Sequence, residues 1–119
     1  MRSAVDWIAT VQGVYFALTG IWPLVHMPSF LAVTGDKTDK WLVRTVGAIV
    51  LVIGGVLIVA GARSAVDLEV VLLAAGGAIA LGLVDVIYVS IGRIPKIYLA
   101  DAVVEGVLLL GWALAWMNR

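Results

Sequence analysis

Residues 41–62 read WLVRTVGAIVLVIGGVLIVAGA, with Arg44 as their single charge. At 1.5 Å per residue this run is long enough to cross a hydrocarbon core of ~30 Å. Backbone N–H and C=O groups have no water to bond in lipid, so a segment of this kind has to be an α-helix. A soluble helix would keep a polar face, and none can be drawn on these residues. Trp41 suits the interface as an anchor, and Gly47, Gly54, Gly55 and Gly61 suit close helix packing. The rest of the chain follows the same pattern. Three more apolar runs lie at about 5–25, 66–91 and 96–117.

Hydrophobic residues make up 63 % of the 119 residues and charged ones 13 %, with a mean hydropathy of +1.11. Soluble domains average roughly 45–50 % apolar and about 25 % charged. The excess cannot be hidden in a core this small. The expected architecture is an all-α integral membrane protein, a single four-transmembrane-helix up-down bundle over residues 1–119. Residues 5–25 are too long for a signal-peptide core and are read as the first span. Net charge is zero and no basic run occurs, which speaks against a nucleic-acid partner. With no cysteine and one histidine, His26, neither thiolate chemistry nor a histidine-rich metal site is expected, and no cofactor is implied.

The connections are short except for residues 29–40. Pro23 falls in the last turn of the first helix, and Pro28 cannot continue it. The SFLAV piece suits an interfacial position. Thr38 or Asp39 can cap the second helix, and Ser64 with Asp67 resembles a capping box for the third. Pro95 fits the first turn of the fourth helix. Ala74, Ala78 and Gly82 form a small-residue stripe, extended by Gly13–Ala17 and Ala102–Gly106. Lys37, Lys40, Arg44, Arg93 and Lys96 lie on one side, against Arg2, Arg63 and Arg119 on the other. The positive-inside rule then places both termini outside.

The polar residues are not spread evenly. Asp101 and Glu105 are four residues apart and share a helical face with Tyr98. Asp85 and Tyr88 lie near the end of the third helix, Arg44 near the start of the second, and Trp22 and His26 at the end of the first. In an up-down bundle all of these fall in one half of the membrane, over an apolar plug in the other half. From Lys96, Asp101 lies about 7 Å in and Glu105 about 13 Å. Ionisable groups at such depth mark functional sites by default. Three carboxylates face one arginine, so they cannot all be charged and paired. Glu105, Asp101 and Asp85 are therefore the candidate catalytic acids, and Arg44, Tyr88, Tyr98, His26 and Trp22 the candidate binding residues.

Simpler roles exist for several of them. Arg44 can snorkel to the headgroups, and Asp85 can tie helices together by pairing with Arg44 or Arg93. Asp101 can reach water from the first turn, and His26 suits the interface. Trp7, Trp22, Trp41, Trp112 and Trp116 fit an interfacial belt. Glu105 is the hardest to explain in this way.

At GIWPLVHMPSF and WLVRTVGAIVLVIGG the chain resembles small bacterial four-helix membrane proteins of the DoxX-like kind. The resemblance rests on Gly20, Pro23 or Pro28, Arg44 and Gly47, and covers about half the chain. It implies a four-helix bundle in a bacterial inner membrane and carries no catalytic residues with it.

Three functions are consistent with these residues. The first is a site that binds or acts on a small hydrophobic molecule or lipid, with the acids as its polar end. The second is a structural or partner subunit of a membrane complex. The third is a small proton-coupled transporter, which with four helices per chain has to be a homo-oligomer.

Overall fold

Helical propensity and lipid burial act together over the four apolar runs. The computed structural model, which describes residues 3–118, turns each run into a helix. The elements are α1 (Ala4–Val25), α2 (Met27–Thr34), α3 (Lys40–Ala62), α4 (Leu68–Ser90) and α5 (Tyr98–Met117), with no strand among the described residues. All but α2 are long and apolar enough to span a membrane, as in a multi-pass integral membrane protein. Their outward faces carry Val52, Leu72 and Val103, each more than 60 % exposed, as lipid-facing side chains would be. Arg2 and Arg119, which entered the orientation count, lie outside the described residues.

The tightest pairing is between α1 and α3, and glycine makes it possible. A Cβ on Gly20 would stand 2.5 Å from the Gly47 carbonyl oxygen, and one on Gly47 would stand 2.6 Å from that of Gly20. Gly13 and Gly54 exclude each other's Cβ in the same way, at 2.8 and 2.7 Å. As α1 advances seven residues from Gly13 to Gly20, α3 retreats seven from Gly54 to Gly47. Two antiparallel backbones thus touch at every second turn, where a side chain would hold them apart. Pro23 adds to this seam by packing on Gly47 within a helix that continues to Val25.

The remaining helices are held more loosely. α4 packs on α5, α5 packs on α1, and α3 barely touches α4. Ala74 and Ala78 are fully buried, while Gly106 has open space around it and does not extend the small-residue packing. Val5, Ala9, Leu57, Ala74, Trp112 and Ala115 form the core at the end of the bundle where α1 begins.

Four local details differ from the sequence expectation. The SFLAV piece is helical and belongs to α2, with Pro28 in its first turn. Asp67, not Ser64, caps α4: its side chain accepts from Val70 N at 3.1 Å, while Ser64 takes a positive φ of 50° in the turn. Pro95 stands before α5, where its carbonyl accepts from Tyr98 N. Trp112 is 3 % exposed and is a core residue, not part of an interfacial belt.

Candidate functional site

The bundle end that carries α2 holds a partly open cavity of about 500 Å³. Its apolar wall comes mainly from Val43, Val46 and Val50 of α3, with Trp22 and Pro23 of α1 and Phe30 of α2. Its polar end comes from Tyr15, Asp85, Asp101 and Glu105, and Lys37 and Tyr98 lie nearer the loops.

Helical spacing explains why the acids meet. Asp101 and Glu105 project from successive turns of α5 onto the face that meets α4 and α1. Gly82 of α4 lies beside Glu105, where an added Cβ would come within 3.5 Å of the Glu105 Cβ. Three residues further along α4, Asp85 reaches the same point. The Asp101 carboxyl lies beside those of both Asp85 and Glu105. Glu105 is 1 % exposed and Asp85 5 %. Both Glu105 oxygens and Asp85 Oδ2 are buried without a partner among the described residues. Asp101 is better served, since the Tyr15 hydroxyl donates to its Oδ1 at 2.5 Å.

Lys37 is the basic residue in the cavity wall, and it does not reach the acids. Its Nζ donates to the Thr34 carbonyl and hydroxyl and to the Gly35 carbonyl, at 3.2, 2.9 and 3.0 Å. The same ammonium stands 5.3 Å from the centre of the Phe30 ring and 5.2 Å from that of Tyr98, within cation–π range.

The sequence candidates separate into two groups. Asp85, Asp101, Glu105, Tyr98 and Trp22 line the cavity. Arg44 and Tyr88 are exposed and do not line it. Their helices turn them outward, and Asp85 gains no tie to Arg44 or Arg93. His26 is also exposed and serves the backbone: its Nδ1 accepts from Ser29 N at 3.2 Å and caps α2. Ser29 Oγ in turn accepts from Trp22 Nε1 at 2.9 Å, and Trp22 meets Phe30 edge-on. His26 therefore acts on the wall through α2.

Three further polar side chains in or beside the site are not among the sequence candidates. Tyr15 and Lys37 are two, and Gln12 is the third. Gln12 is fully buried beyond the acids, where its Nε2 donates to the Ala74 carbonyl at 2.9 Å and its Oε1 accepts from Trp112 Nε1 at 2.6 Å. It joins α1, α4 and α5 inside the plug, which is therefore not wholly apolar. An amide in the middle of an apolar helix is the signal that marks it. Among the described residues no group of three His, Cys, Asp or Glu is arranged to hold a metal ion.

Comparison with protein-family models, with curated proteins and with solved structures gives no match. The DoxX-like resemblance thus rests on the residues quoted for it.

Proposed function

We propose that the chain binds a small hydrophobic molecule or lipid within the membrane, body against the valine wall and polar end at the acids. One observation carries this reading: buried carboxyl oxygens without partners lie on residues that line the polar end of an apolar cavity large enough for a ligand. Ligand sites typically enclose ~300–1,000 Å³, are mostly apolar, and hold a few convergent polar groups. A buried polar atom without a hydrogen bond is destabilising by about 1–3 kcal/mol, so the fold keeps these atoms at a loss that a ligand donor would offset. The likeness of residues 20–30 and 41–55 to DoxX-like proteins supports a bacterial inner membrane as the setting.

The test is equilibrium dialysis of detergent-solubilised protein with radiolabelled 4-phenylbutan-1-ol, a neutral probe with one donor. Saturable binding at one site per chain is expected, and a Val50→Trp variant that fills the cavity should abolish it while melting normally. Non-saturable uptake, the same in wild type and variant, would remove the reading.

A further inference from the structure

The chemistry of the cavity defines its ligand more narrowly, on the premise that it is a small-molecule site. In their ionised form Glu105 Oε1, Glu105 Oε2 and Asp85 Oδ2 can only accept, and in that form what is missing there is donors. A neutral ligand with one hydroxyl supplies a single donor and leaves the carboxyl charge unopposed. A lipid phosphate or a fatty acid brings more acceptors and like charge. A protonated amine brings up to three N–H donors and the opposite charge together. The protein already seats such a group at the loop end, where the Lys37 ammonium lies between the Phe30 and Tyr98 rings. That pair of rings is a cation seat occupied by the chain's own side chain, further out than the acids.

We propose that the cavity takes a lipophilic amine in its ammonium form, its nitrogen on Asp85 and Glu105 and its hydrocarbon body along α3. Lys37 holds the outer seat, on the path by which the ligand enters. The amine enters past the rings, and its N–H donors then meet the partnerless oxygens.

Three probes separate the contributions: 4-phenylbutylammonium, its N,N,N-trimethyl analogue, and neutral 4-phenylbutan-1-ol. Dialysis in an uncharged detergent should rank them ammonium, then trimethylammonium, then alcohol, with the first at least ~10-fold tighter than the last, given 1.4 kcal/mol per tenfold. In an Asp85→Asn, Glu105→Gln double variant the ammonium should lose that advantage while alcohol binding persists, which also shows that the variant is folded. Lys37→Gln frees the seat on the entry path and should speed ammonium uptake while leaving its equilibrium affinity within about twofold. Alcohol and ammonium binding within twofold of each other would overturn the amine assignment and leave the small-molecule site standing. An ammonium advantage that survives the double variant would do the same. Binding of none of the three probes would overturn both.

Discussion

Tyr15 and Asp101 join the first and last helices inside the membrane, phenol to carboxylate at 2.5 Å. The bond sits where the α1–α3 pair meets the α4–α5 pair, and it fixes the one acid of the cavity to which a hydrogen bond is donated. Replacing Tyr15 by Phe should destabilise the fold by about 0.5–2 kcal/mol, the range for a charge-assisted bond tempered by what intramembrane bonds deliver. Thermal melting in mild detergent measures it. A double-mutant cycle with Asp101→Asn should give a coupling energy near the whole effect, and additive losses would show that the contact contributes nothing.

Glycine positions on one helix should differ sharply in tolerance. Gly47→Ala drives a methyl into the Gly20 carbonyl and should cost about 1–3 kcal/mol, as overpacking does. Gly55→Ala on the same helix meets nothing within 4 Å and should be neutral, or stabilising by up to about 1 kcal/mol through helix propensity. Reversible unfolding in mixed micelles compares them directly. Equal effects at the two sites would contradict the reciprocal glycine seam.

Gln12→Leu removes the acceptor of Trp112 and the donor to Ala74, leaving a buried indole N–H alone. A loss of about 1–3 kcal/mol is expected. Adding Trp112→Phe removes the orphan and should recover part of that loss. A double variant as unstable as the sum of its parents would refute the pairing.

Stability and binding should move in opposite directions at Glu105. Glu105→Gln keeps the shape and removes a buried group that is costly to ionise, so its melting temperature should equal or exceed that of the wild type. Ammonium binding should fall by at least ~10-fold in the same preparation. A variant that melts lower and binds normally would make Glu105 a structural residue.

Capping by His26 is a separable property. His26→Ala should raise the hydrogen-exchange rate of residues 27–34, consistent with loss of an N-cap worth ~1 kcal/mol. The α5 amides around Glu105 should exchange as before. Uniform acceleration would place His26 in the bundle core instead.

The four spans were legible from hydropathy because lipid imposes one answer on long apolar runs. The meeting of Asp85, Asp101 and Glu105 was legible too, since an up-down bundle places the end of one helix beside the start of the next. The outward turn of Arg44 was not. Its depth was readable, but its azimuth is set by the glycine seam, which spends the inward face of α3 on α1. Lys37 was hidden for a different reason. Nothing in a loop sequence says that the end of α2 will fold back and place an ammonium between Phe30 and Tyr98. Tyr15 and Gln12 were overlooked because one polar atom among apolar neighbours leaves no periodic trace.

The glycine seam also bears on the order of events at the ribosome. Gly13, Gly20, Gly47 and Gly54 all precede α4 and α5 in the chain, and their contact is backbone against backbone. The α1–α3 hairpin therefore requires nothing from α4 or α5 to close, in keeping with N-terminal units folding first during synthesis. When α5 follows, with Asp101 and Glu105 in its leading turns, Tyr15 already stands in the bilayer with a hydroxyl to offer. α5 carries two acids into lipid, and the polar partner of one of them is there before it arrives.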